Sequence, residues 1–199
     1  LWVLALLAAQ EEGLEFKIKQ TKHEEILNLE PRLLNELWKQ AVDSIMRAWA
    51  FLQLRCGIRN ESDLRNKLLV VPIAMSLQND ECLHDKKLLN RVEYWYWCSV
   101  LTSTYTELQN QNALSDTKDL LKWARGKIGD DPFQARRQKV LNDPSYSDRE
   151  TLLRIGEDAG AKTDVGAYLL QYELSRVPLD LVEGSPRVNA WDSITEDHH

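Results

Sequence analysis

Residues 31–56, PRLLNELWKQAVDSIMRAWAFLQLRC, decide how the rest of this chain is read. Leu34, Leu37, Trp38, Ala41, Ile45, Ala48, Trp49 and Leu52 recur at spacings of three and four, the period of one helix face. Pro31 suits a first helical turn, where its missing N–H is not needed. Gly57 stands where a left-handed residue would stop the helix. The stretch predicts a helix over 31–56 with those apolar side chains turned inward.

Working outward, the composition favours more of the same. The chain has 199 residues with 43% hydrophobic content, seven Trp and six Tyr, enough for a sizeable core. Eight Gly and six Pro are too few for a many-stranded sandwich or barrel, which needs frequent turns. Charged residues at 28% sit near the globular norm, which argues against general disorder. The fold class expected is all-α: an irregular multi-helix bundle over residues 1–177, then an irregular tail over 178–199.

Towards the N-terminus, Leu1 to Glu12 reads as a helix ending near Gly13. Leu14, Phe16 and Ile18 alternate with Glu15, Lys17 and Lys19, which fits a strand and equally a continued helix. Towards the C-terminus, Ser62 is a candidate cap for a helix carrying Leu64, Leu68, Val71, Met75 and Leu77, with a kink or break expected near Val71 because Pro72 sits inside it. A helix from about Lys86 to Leu108 carries Tyr94-Trp95-Tyr96-Trp97. Asn110, Gln111 and Asn112 read as a polar connector, and Ser115 or Asp116 as the start of the next helix. Asp130-Asp131-Pro132 opens a short helix to Leu141, and Ser147 with Glu150 matches a capping box. Thr163 or Asp164 caps a last helix that Pro178 stops.

Three widely spaced cysteines, Cys56, Cys82 and Cys98, form neither a zinc pattern nor a disulfide framework and point to reduced thiols in a cytoplasmic protein. The apolar start, Leu1 to Ala9, is too short for a bilayer that needs about 20 residues. No basic leader precedes it, and no initiator Met, so the chain reads as cut from something larger. The formal net charge is −6, unevenly spread: residues 118–154 hold nine basic and six acidic side chains, residues 155–199 three and nine. Lys118, Lys122 and Arg125 fall at helical spacing, and Arg136, Arg137 and Lys139 follow one loop later. These are the candidate phosphate contacts, against the plainer reading of a solvated helix face. Tyr94 to Trp97 reads either as a base-stacking platform or, more simply, as packing that wraps a buried helix. There is no Gly-rich phosphate loop and no GxSxG, and no cysteine stands in a recognisable nucleophile setting.

The terminal Asp197-His198-His199 is the sharpest chemical feature. Of two adjacent imidazoles, one can bind a divalent ion while the other takes a proton from a water attacking phosphorus; an affinity-tag remnant is the bland alternative. From about Asp63 to His199 the chain resembles the C-terminal half of GmrSD-type restriction and phage-defence proteins. The resemblance rests on Leu68-Leu69-Val70-Val71-Pro72, Arg91 to Trp97, Ala167 to Glu173 and Glu196 to His199. Those proteins join a ParB-like nucleotide-hydrolysing domain, through a helical region, to an HNH-type nuclease. The resemblance implies that His199 is the general base and His198 a metal ligand. It further implies Mg or a similar divalent ion in the complete nuclease domain, a nucleotide in a missing N-terminal domain, and DNA and neighbouring domains of the same polypeptide as partners. The family motif continues with Asn and His residues downstream, and one histidine cannot hold a catalytic ion. The expectation is therefore a helical linker or scaffold of a nucleotide-regulated endonuclease or nickase, not catalytically complete by itself, with no cofactor and no membrane contact of its own. The rival is a non-catalytic helical protein-interaction module whose binding face is Tyr94 to Trp97.

Overall fold

The computed structural model describes residues 1–154 and 164–176, and among these there are helices and turns and no strand. The expected tail over 178–199 lies outside them. One hydrophobic cluster runs from Val3 to Tyr168 and joins the helices that begin at Trp2, Pro31, Val70, Lys86, Gln109 and Asp164.

At its centre is α1, Trp2–Glu11, in which every residue from Val3 to Ala9 is buried. A helix apolar on all sides belongs inside. It ends as expected at Gly13, with φ of +67°. Leu14 N donates to Ala9 O at 2.8 Å and Gly13 N to Gln10 O at 3.1 Å, the paired bonds of a Schellman turn. Residues 14–22 are neither strand nor continued helix: they run irregularly into a 3-10 turn, Ile18–Thr21. The alternation is real, since Phe16 and Ile18 pack on the core while Leu14 stays out, but no strand is there to pair with. A short helix, α2 (His23–Leu27), leads to α3, Pro31–Cys56.

The bounds of α3 match the reading from sequence at both ends, with Pro31 in the first turn and Gly57 at φ of +66°. Trp38 does not turn inward; it is 54% exposed. Next, Ser62 caps nothing. Asn60 and Asn66 cap two 3-10 turns, Glu61–Asp63 and Lys67–Leu69, and α4 begins only at Val70. The break therefore falls before Val70, which leaves Pro72 in the first turn of α4 (Val70–Ser76), where its lost donor is harmless. Val71 to Ser76 are all buried, and this short helix packs against α1, α3 and α6 (Gln109–Ala124).

Asp85 caps α5 (Lys86–Leu101) by accepting from Lys87 N at 2.9 Å and Leu88 N at 3.0 Å. The helix stops seven residues short of Leu108. The supposed connector, Asn110 to Asn112, belongs to the first turn of α6 instead. Asn112 Nδ2 reaches back to Thr104 O at 2.7 Å and Glu107 O at 2.9 Å, stapling the true connector. Ser115 and Asp116 are consequently in mid-helix, not at its start. Beyond α6 come α7 (Gln134–Asn142), α8 (Pro144–Ser147), α9 (Arg149–Arg154) and α10 (Asp164–Ser175). The Ser147 hydroxyl donates to Asp143 O at 2.9 Å rather than forming the expected box with Glu150. On α10, Gln171 Nε2 donates to Cys56 O at 2.7 Å and to Tyr96 Oη at 2.8 Å, tying the last described helix to α3 and α5.

Candidate nucleic-acid interface

Helical spacing puts Lys118, Lys122 and Arg125 on one side of α6, and the structure adds a fourth cation. Gly126, at φ of +70°, turns the chain so that Lys127 N donates to Lys122 O at 2.8 Å and Gly126 N to Trp123 O at 3.0 Å. This second Schellman turn brings Lys127 to the same groove as the other three. The opposite wall is the segment after Gly13: Leu14, Glu15 and Phe16. The groove has a volume of about 390 Å³ and Leu121 in its lining.

The charges in the groove are mostly unspent. Lys118 Nζ lies 3.2 Å from Glu15 Oε1, with side chains 31% and 72% exposed, so solvent screens the pair. Among the described residues no carboxylate lies within ion-pair distance of Lys122, Arg125 or Lys127. Part of this clustering has a structural cause, since cations near a helix C-terminus complement its partial negative charge. Four cations around a concave wall with apolar side chains still form a positive focus, which the chain-wide charge of −6 conceals.

Arg136 and Arg137 part company. Arg137 is exposed on α7. Arg136 turns inward and spends its guanidinium on Asp116: Nη1 to Oδ2 at 2.7 Å and Nη2 to Oδ1 at 2.6 Å, with a further bond from Nη1 to Ser99 Oγ at 2.8 Å. Asp116 is 1% exposed and also accepts from Trp95 Nε1 at 2.9 Å and Tyr105 Oη at 3.0 Å. Three donors converge on Oδ2 and one on Oδ1, and this network joins α5, α6 and α7. Neither Arg136 nor Arg137 lines the groove; Lys139 lines a separate polar surface with Arg136 and the 102–108 connector.

The aromatic run is core. Trp95, Tyr96 and Trp97 are buried, and Tyr94 is half-buried with its hydroxyl on Asp131 Oδ2 at 2.6 Å. Burial pushes the Tyr96 and Tyr105 phenols well above the ordinary tyrosine value, and burial together with Asp131 does the same for Tyr94. With three of its four rings buried the run does not present a continuous aromatic surface, and Tyr94 alone lines an open pocket, with Arg91 and Trp123. Cys56 and Cys98 are buried free thiols, each pushed up by desolvation, so neither has the thiolate a nucleophile needs. Among the described residues no group of three or more His, Cys, Asp or Glu side chains is placed to hold a metal. His198 and His199 lie outside them.

Sequence reasoning missed Lys127 and Glu15. Lys127 was detectable, because a Gly directly after the last periodic turn of α6 is a C-terminal signal that turns the chain sharply. Glu15 was not, since its position across from Lys118 is a tertiary fact.

No family model, no curated protein and no solved structure matched this chain.

Proposed function

We propose that this chain is the helical scaffold of a nucleotide-regulated, HNH-type DNA endonuclease or nickase acting in restriction or phage defence, and that it grips the DNA backbone in the α6 groove. One observation carries the DNA contact: Lys118, Lys122 and Arg125, chosen by spacing alone, line one concave wall together with Lys127, and three of the four have no described carboxylate partner. Phosphate contacts of this kind fix position on a duplex without reading its sequence. The nuclease assignment is drawn from the resemblance of residues 63–199. In that reading His198 binds the divalent ion and His199 takes the proton, the remaining donors come from downstream sequence, and the nucleotide belongs to a preceding domain.

The test is equilibrium binding of the 199-residue chain to a duplex, titrated with salt. Each cation that contacts a phosphate adds about 0.9 to the slope of log K against log salt. Lys122→Gln with Arg125→Gln is expected to lower that slope by about 2 and weaken binding to all sequences alike. Absence of binding at low salt, or an unchanged slope, removes the groove from the proposal. The nuclease half is tested separately, by His199→Ala in a chain that continues past residue 199, where divalent-ion-dependent nicking is expected to vanish.

The rival reading, a protein-interaction module, cannot use Tyr94 to Trp97, three of which are buried. An exposed apolar surface does exist, but on α3.

A further inference from the structure

The apolar arc of α3 is wider than the face the core covers. Leu37, Ala41, Ser44, Ala48 and Leu52 are buried against the rest of the fold. About 80° to 160° round the helix from that face, at i, i+4 and i+8, stand Trp38, Val42 and Met46, which are 54%, 39% and 64% exposed. Ile45 and Trp49, half-buried, join the row to the core. Single exposed apolar residues need no explanation, whereas a contiguous row containing a tryptophan marks a surface that something covers.

We propose that this row is where a second copy of the chain docks, antiparallel, about a two-fold axis passing beside Val42. The row matches its own reverse. Trp38 and Met46 each stand four residues from Val42, so the two-fold sets each Trp38 against the Met46 of the other copy. Thioether and indole make a favourable contact of that kind. Val42 meets Val42 on the axis, as a self-complementary interface requires.

The rim is complementary as well. Lys39 and Asp43 lie along the same edge of the row, Nζ to Oδ2 at 2.6 Å, both solvent-facing with side chains 86% and 38% exposed. Reversing the helix puts Asp43 of one copy beside Lys39 of the other, twice. The next pair along the same helix, Arg32 and Glu36, is also balanced. An acidic peptide, a nucleic acid or an anionic lipid surface would call for an excess of positive charge around the row, whereas among the described residues the ion pairs beside it on α3 are balanced. A second copy needs only the alternation of sign that the edge carries.

The test is the oligomeric state of the 199-residue chain by sedimentation, with single and paired charge swaps. Wild type is expected to dimerise with a micromolar Kd or weaker, as suits a small interface. Lys39→Asp and Asp43→Lys each place like charges opposite one another twice, and each is expected to weaken self-association about tenfold. Mixing the two variants restores the complementary pairs, so the mixture is expected to form a heterodimer that neither forms alone. Val42→Cys in a Cys82→Ser background is expected to cross-link to itself under mild oxidant, because the axis brings the two side chains together. Circular dichroism confirms that each variant is folded. A wild-type monomer at about 200 µM overturns the proposal and gives the row to another occupant. So does a dimer that tolerates both single swaps, or a Val42→Cys chain that fails to cross-link while dimeric.

Discussion

Replacing Arg136 by Met tests whether the Asp116 network is architecture or ligand-binding machinery. The substitution keeps roughly the length and apolar stem of the side chain and removes both guanidinium bonds to Asp116 and the one to Ser99 Oγ. Asp116, at 1% exposure, then keeps only Trp95 Nε1 and Tyr105 Oη, two neutral donors at 2.9 and 3.0 Å. Stripping one partner from a buried ion pair costs about 3–5 kcal/mol, because the remaining charge stays out of water. Whole-domain stability is about 5–15 kcal/mol, so the loss is roughly a third to a half of a mid-range total. For a chain of this size each kcal/mol moves Tm by about 2–4 °C, which predicts a fall of about 6–20 °C. Combining Arg136→Met with Asp116→Leu removes the stranded charge, so the double variant is expected to be more stable than Arg136→Met alone. That non-additivity is the signature of a coupled pair. Denaturant melts of the four proteins measure it. The salt slope of DNA binding by Arg136→Met, taken well below its Tm, is expected to equal the wild-type value. A loss under about 1 kcal/mol, simple additivity in the double variant, or a reduced salt slope would each refute the reasoning.

Other outcomes follow from features already described. Gly57→Ala is expected to loosen α10: a Cβ there sits 2.6 Å from Gln171 O on a backbone at φ of +66°, and faster hydrogen exchange of the α10 amides reads the effect. Left-handed backbone alone costs a non-glycine about 1–2 kcal/mol, and the collision adds to it. Glu15→Gln frees Lys118, and a two- to threefold (~0.5 kcal/mol) gain in affinity for duplex DNA at low salt is expected in a filter-binding or anisotropy titration. The raised phenols of Tyr94, Tyr96 and Tyr105 make stability fall on the alkaline side. Above about pH 10 the unfolded chain gives up these protons while the fold retains them, so the contribution is whole below that pH and is lost as pH climbs towards the folded-state values. Tyrosinate absorbance should accordingly lag for these residues until the helical circular dichroism signal collapses; parallel, early titration of all the tyrosines would contradict the burial assignment.

Local signals carried the fold where they agreed with one another. Along α3 the apolar period, Pro31 and Gly57 all say the same thing, and both ends of the helix follow. The end of α5 was not legible in this way. From Thr102 to Leu108 there is no Gly or Pro, and the chain turns by holding Ser103 and Leu108 at positive φ, 52° and 47°. Side-chain bonds from Asn112 and, from across the fold, Asn66 hold that connector, and no backbone propensity announces them. Trp38 shows another limit, because a period gives the direction of an apolar arc and not how much of it a neighbour covers. For the groove, spacing was enough to group Lys118, Lys122 and Arg125 on α6. It did not separate Arg136 from Arg137: they are adjacent in sequence, and only the position of Asp116, twenty residues upstream on another helix, turns one of them inward.

The unbroken apolar run Val3 to Ala9 in α1 also bears on how the chain is made. That stretch has no side that tolerates water, and the elements packed on it, the 3-10 turn Ile18–Thr21, α3 and α4, are translated after it; the last of them ends at Ser76. At roughly 5–20 residues per second, about 3–13 s separate the emergence of Glu11 from that of Ser76. During that interval the nascent segment Val3 to Ala9 is greasy, unshielded and free to stick to other chains, so the yield of folded protein depends on translation speed and on holdase capacity at the ribosome exit.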